Sequence, residues 1–285
     1  MIKAIVTDVD GVLTGNKSGF NFPKPSFDVI SALTTIHKKG IPVILCTAKI
    51  ASAIEDIIGD AQLSNPHIAD GGALVFDPLE HKIIKEHILE NALAQKMIQV
   101  CVAHNIHISA HTVNNLFIDK THNKYITEKR RLIVKRDLSV VDSLENRIKT
   151  EQIIKLTLTV VDKKEKALAE KLLAPFKDQI HFIWSHHPMS HPWEYGIISS
   201  KGVSKVSAMR EVLKILNLEA SEVLGVGDGF ADWVFMEHCG YAGVVGDKSP
   251  ELKDLVKTKG IGKYFLAPSV DENGLLDILK YFKLL

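Results

Sequence analysis

The stretch IKAIVTDVDGVLT, residues 2–14, constrains the fold of this chain more than any other. Ile2, Ala4, Ile5 and Val6 form a short, β-branched apolar run of the kind that makes a buried strand. Asp8 and Asp10 follow at its carboxyl end, and Gly11 lets the backbone turn away. In open α/β sheets, ligands bind just beyond the carboxyl ends of the strands. Acids at alternate positions leaving such a strand can face one crevice. A polar Asp-Gly turn at a strand end is the other use of the same residues.

With 285 residues the chain has room for one large domain or two smaller ones. Net charge is +1 with Lys and Arg scattered, so no nucleic-acid partner is expected. The densest basic cluster, Lys129, Arg130, Arg131, Lys135 and Arg136, reads as a solvated face or loop. No apolar run is long enough to span a membrane, and no signal peptide is expected where the chain opens directly on a strand. Cys46, Cys101 and Cys239 are far apart, lack metal-ligand spacing and sit among apolar neighbours. They read as buried thiols in a reducing, cytoplasmic setting.

Strand and helix patterns alternate at first. Phe27, Ile30, Leu33 and Ile36 recur at helical spacing between a cap at Ser26 and a stop at Gly40. Ile41–Lys49 is a second buried strand, and Pro66–Asp77 reads as strand, Gly-Gly turn and return strand. From about Glu80 the rhythm changes. A long helical pattern, His87 to His104, precedes short strands at 106–111, 116–118 and 124–127, then a helix over 140–148. Residues 152–161, QIIKLTLTVV, alternate as a half-buried strand, and a strand pair is expected at 179–186 and 193–198. Alternation resumes with a helical stripe from Val203 to Leu216 and the strand SEVLGVG. The pattern predicts an α/β fold: a Rossmann-like parallel-sheet core, residues 1–80 and 196–285, with an inserted α+β cap domain, residues 81–195.

DVDGVLT resembles the first signature of the haloacid dehalogenase-like phosphohydrolase superfamily, an apolar strand followed by D-x-D-G-x-[LV]-[TL]. The resemblance implies Asp8 as nucleophile and Asp10 as general acid/base. Thr47, in LCTAK, matches the hydroxyl residue that ends the second strand, although Ala48 and Lys49 stand where T-G-R is common. KGVSKVSAM resembles the lysine motif of the subfamily with large type-two caps and places the lysine at Lys205, with Lys201 the competing choice. GVGDGFAD resembles the acidic motif G-D-x-x-N-D, with Ala231 in place of Asn, and supplies Asp228 and Asp232. It is not a dinucleotide loop, because Phe230 replaces the third Gly of G-x-G-x-x-G. The turn carrying Gly71 and Gly72 resembles the N-G-A turn before the cap.

What this implies is an Mg2+-dependent phosphatase working through an aspartyl-phosphate. Its substrate is a small phosphorylated metabolite, with a sugar phosphate the first guess. An anionic carboxylate attacking an anionic phosphate needs a bridging cation, and Mg2+ suits carboxylate, phosphate and water oxygens. The implied metal residues are Asp8, Asp10, Asp228 and Asp232. The implied phosphate contacts are Gly11, Thr47, Ala48, Lys49, Gly72 and Lys205. A phosphomutase or phosphotransferase would use the same residues, and a catalytically silent phosphometabolite-binding protein is the reading from another class. His186, His187 and His191 cluster before Trp193, but adjacent histidines on a strand face opposite sides. Substrate contacts from a cap loop are expected there rather than a transition metal, and Trp184 and Trp193 are expected in the cap core.

Overall fold

The computed structural model describes residues 1–134, 138–186, 192–246 and 250–285. The chain begins β1 (Ala4–Thr7), α1 (Phe27–Lys38), β2 (Val43–Leu45) and α2 (Glu55–Ala61). A tight hairpin joins β3 (His67–Ala69) to β4 (Leu74–Asp77), and β5 (Lys82–Glu86) pairs back onto β4. Next come α3 (Asn91–Ala103), β6 (His107–His111), β7 (Leu116–Asp119), α4 (Lys124–Val134), β8 (Ser139–Val141) and α5 (Leu144–Arg147). β9 (Lys155–Val160), α6 (Lys163–Leu173), β10 (Ile180–His186) and β11 (Glu194–Ser200) follow. The chain closes with α7 (Lys205–Ile215), β12 (Val223–Gly227), α8 (Phe230–Met236), β13 (Tyr241–Val245), α9 (Pro250–Lys257), β14 (Tyr264–Ala267) and α10 (Gly274–Tyr281).

Five parallel strands form the core sheet in the order β14-β13-β12-β1-β2. Its strands are apolar on both faces because helices cover both. Ile5 and Leu224 pack on one side with Leu33 and Ile36 of α1 and Ile278 of α10. Ala4, Val6 and Ile44 pack on the other with Met209 and Val212 of α7 and Phe235 of α8. Local signals hold the helix starts. Ser26 Oγ accepts from Val29 N at 3.4 Å at the head of α1, as its position predicts. β1 lies between β12 and β2, so the carboxyl ends of these three strands share one edge of the sheet.

A second sheet of six strands, ordered β10-β11-β9-β6-β7-β8, has its own apolar core against α3, α5 and α6. It is antiparallel except between β7 and β8. The fold is therefore the parallel core with added antiparallel sheets that the alternation predicts. Several local expectations change. Residues 124–127, expected as a strand, open helix α4, and 140–148 divide into the end of β8 and the short α5. Residues 82–86 pair with β4 in a three-stranded sheet rather than with the six-stranded one, and β11 continues to Ser200, past the expected boundary at 195. β9 is buried on both faces, not half-exposed. Leu156, Leu158 and Val160 enter the sheet's core, and Lys155, Thr157 and Thr159 turn to the opposite, equally covered side.

Candidate active site

The strand-end acids meet where β1 and β12 leave the core sheet. Asp8 follows β1, and its backbone N–H donates to Val226 O at 2.9 Å, which ties the loop to the neighbouring strand. Gly11 has φ +77°, and a Cβ there would stand 2.1 Å from Asp228 Oδ2. Only glycine lets the two loops approach this closely. The Gly11→Ala variant is expected to push Asp228 away and to impose backbone strain of about 1 kcal/mol or more. A lower melting temperature, read by thermal unfolding, is the expected result.

Lys205 reaches this corner from the first residue of α7. Ser204 caps that helix: its Oγ accepts from Ser207 N at 3.1 Å, and Ser207 Oγ accepts from Ser204 N at 2.8 Å. The Gly-Gly turn presses on the cap, since a Cβ on Gly72 would lie 2.3 Å from Ser204 O. Lys205 Nζ pairs with Asp8 Oδ1 at 3.1 Å and donates to Asp232 Oδ1 at 2.8 Å. Asp232 Oδ2 accepts from Asp228 N at 3.0 Å. Lys201, the competing lysine, is exposed.

Burial raises Asp8 well above the usual carboxylate range, and the charge of Asp232 adds to it, while Lys205 opposes the rise. Burial works to lower the Lys205 ammonium, but Asp232 and Asp8 overcome it and hold the group above its ordinary value. Carboxylate oxygens of Asp8, Asp228 and Asp232 lie within 4.8 Å of one another. Hard oxygen donors this close, with Gly11 leaving room for Asp228, fit a small divalent cation such as Mg2+.

Asp10 stands apart from that cluster. Its Oδ1 pairs with Lys49 Nζ at 2.9 Å and accepts from Thr14 Oγ1 at 3.2 Å. Thr47 is buried at the end of β2, where its Oγ1 accepts from Lys49 N at 3.1 Å. Asp8, Asp10, Thr47, Ala48, Lys205, Asp228 and Asp232 line one cleft, whose far wall includes Trp184 and Ser185 of β10. Lys49 lines an adjoining cavity, and Gly11 and Gly72 stand behind the cleft as packing positions. His187 and His191, and the side chain of His186, lie outside the described residues. Trp193 is buried beneath Lys129 Nζ, 4.2 Å from its ring centroid. Trp184 is half-buried on the cleft, its Nε1 donating to Glu170 Oε1 at 2.8 Å.

The adjoining cavity holds residues that motif reasoning did not select: Arg130, Lys155 and Thr157, with Asp70 beneath. Lys155 Nζ pairs with Asp70 Oδ1 and donates to Ala48 O at 3.1 Å, tying β9 to the end of β2. Arg130, expected on a solvated face, is 4% exposed. Burial pulls both cations below their ordinary values, with Asp70 opposing the fall at Lys155. Helical spacing could have flagged Arg130, because Ile126, Arg130 and Val134 recur at every fourth position of α4 and are buried, with Thr127 beside them.

Acids and a buried lysine at the carboxyl edge of a parallel core, facing a second sheet across a cleft, define a capped α/β hydrolase of phosphoric monoesters. The chain belongs to the haloacid dehalogenase-like hydrolases, whose family model matches residues 5–279. A phosphoglycolate phosphatase of Staphylothermus marinus is 22% identical over 265 residues, covering 92% of this chain and 94% of that protein. A haloacid dehalogenase-like hydrolase from Bacteroides thetaiotaomicron superposes with a TM-score of 0.82 at 16% identity, covering 99% of this chain and all of that one. A sugar phosphatase of subclass IIB superposes at 0.78 with 18% identity, covering 99% of this chain and 100% of that one. Among the described residues no helix is long and apolar enough to cross a membrane.

Proposed function

We propose that this protein is an Mg2+-dependent phosphatase that hydrolyses a small phosphorylated metabolite through an aspartyl-phosphate on Asp8. The observation that carries the reading is Lys205, bridging Asp8 and Asp232 beside Asp228. Asp8 attacks phosphorus with its carboxylate oxygen, and the ester oxygen leaves. Lys205 holds the Asp8 carboxylate and offsets phosphoryl charge, and the Thr47 hydroxyl can donate to a phosphoryl oxygen. Asp10, steadied by Lys49 and Thr14, gives a proton to the leaving oxygen and then takes one from the attacking water. Asp8 and Asp228 would hold the metal directly. Asp232 would support them, since one of its oxygens serves Lys205 and the other Asp228 N. When bound, Mg2+ supplies the positive charge that lets an anionic carboxylate approach an anionic phosphate.

Sugar phosphates remain the first class to test, given the sugar phosphatase among similar structures. The core, about residues 1–80 and 196–285, carries the chemistry in this reading, and the inserted segment covers the cleft and selects the leaving group. Buried thiols at all three cysteines support a reducing, cytoplasmic setting. A mutase working at the same site would return the phosphoryl group to a sugar, so free phosphate as product distinguishes the hydrolase. EDTA is expected to abolish turnover and Mg2+ to restore it, with Ca2+ a poor substitute because it takes looser, larger coordination. The check is phosphate release from a panel of phosphorylated metabolites. Full activity in EDTA would overturn the metal assignment, and Mg2+-dependent turnover of any ester would remove the silent-binder reading.

A further inference from the structure

The cleft continues between the two sheets into the cavity of Arg130, Lys155 and Thr157. Asp10, Ala48 and Ser185 line both spaces, so a molecule with its phosphoryl group at Asp8 can extend its leaving group past Asp10 into the second. The cavity's internal volume is about 80 Å3, room for a few-carbon unit and not for an extended chain.

The walls of this cavity are built on regular elements. Register sets Ser109 opposite Thr157 and His111 opposite Lys155 on one face of β6 and β9. Arg130, from α4, donates from Nη2 to Ser109 Oγ at 3.2 Å and lays its guanidinium 5.3 Å from the Tyr195 ring centroid. Among the described residues no carboxylate pairs with Arg130, and its Nε has no hydrogen-bond partner. Thr157 Oγ1 is buried and likewise without a partner among them. A buried guanidinium without an acid, beside an unused hydroxyl, is costly unless something fills the space. What fits is an anion that also accepts hydrogen bonds.

Charge decides which anion. Lys49, Lys155 and Arg130 bring three positive charges, and Asp10 and Asp70, paired with the two lysines, bring two negative ones. Among the described residues one positive charge is left over, at Arg130. That balances a carboxylate and leaves a dianionic phosphate in excess.

We propose that this cavity binds a carboxylate carried on the leaving group, which narrows the substrate class from sugar phosphates at large to phosphate monoesters of small hydroxy acids. The proposal rests on the phosphatase reading for where the phosphoryl group sits. Arg130 is the principal contact, Thr157 donates a hydrogen bond, and Lys49 lies between the carboxylate and the leaving oxygen.

The test is calorimetric binding to the full-length Asp8→Asn protein with Mg2+, which needs no turnover. 3-Phosphoglycerate and glycerol 3-phosphate share a carbon skeleton and differ in carboxylate against hydroxymethyl. The first is expected to bind about 10- to 100-fold more tightly, the range for charge-assisted hydrogen bonds. Arg130→Gln in the same background should remove most of that difference. Thr157→Val, which keeps the shape, should reduce it by about tenfold or less and decides the matter if the Arg130 variant does not fold. Equal affinity for the two esters, or a difference indifferent to both substitutions, would overturn the proposal. So would tighter binding of 1,3-propanediol bisphosphate, which marks a dianion site. Hydrolysis of p-nitrophenyl phosphate by the unaltered protein tests the phosphatase reading separately. Turnover without the binding preference defeats the cavity alone, and the preference without turnover defeats the phosphatase reading alone.

Discussion

Asp8→Asn is expected to remove turnover of every phosphoester, by a factor on the order of 10⁴ or more, the scale seen when a covalent nucleophile is deleted. Asn keeps the shape and a carbonyl oxygen at the end of β1 but cannot attack phosphorus at a useful rate. The loss should come without unfolding. Asp8 is one of three acids whose oxygens lie within 4.8 Å of one another, so neutralising it removes like-charge repulsion. Lys205 keeps its 2.8 Å bond to Asp232 after the change. Thermal unfolding in EDTA should therefore show a variant no less stable than the parent, while phosphate release falls to background. A strongly destabilised variant would mean that the Asp8–Lys205 pair is structural first. Normal turnover would mean that another group attacks.

The readable parts of the site were those encoded locally. A strand, two acids and a glycine in one short run declare a strand-end crevice before any partner is known, and Asp8 is found there. Lys205 was readable from the order and spacing of its motif, and the structure adds the Ser204 cap that begins α7. The cavity walls were not readable in the same way, because they depend on which face of an element is covered. The alternation in β9 was clear, but alternation alone does not tell water from a second layer. Its Lys155, Thr157 and Thr159 face turns out to be buried, with Lys155 and Thr157 lining the cavity beside the cleft. Arg130 was hidden by its own neighbours, since Lys129 and Arg131 made the run look uniformly solvated. Reading 124–127 as a strand concealed the helical spacing that buries it. Lys49 was named for a phosphate contact, and its pairing with Asp10 was not legible because the two lie far apart in sequence.

Asp10→Asn is expected to behave differently from Asp8→Asn. Asp10 does not share the carboxylate cluster, and its Oδ1 is held by Lys49 and Thr14 on the side of the adjoining cavity. A group placed there can protonate the departing oxygen in the first step and activate water in the second. Its loss should slow alkyl phosphate hydrolysis by about 10²- to 10⁴-fold, the usual contribution of a general acid/base. An aryl phosphate needs little help to leave, so its first step should be nearly spared while hydrolysis of the intermediate stays slow. With p-nitrophenyl phosphate, Asp10→Asn should release one burst of nitrophenol per active site and then stall. The stalled protein should carry one added phosphoryl mass on the peptide that includes Asp8, and Asp8→Asn should carry none. Lys49→Met should produce a milder form of the same phenotype, because it leaves the Asp10 carboxylate in place but removes its ionic partner. Phosphate on any other residue, or equal slowing of alkyl and aryl esters with no burst, would remove Asp10 from proton transfer and leave the fold assignment untouched.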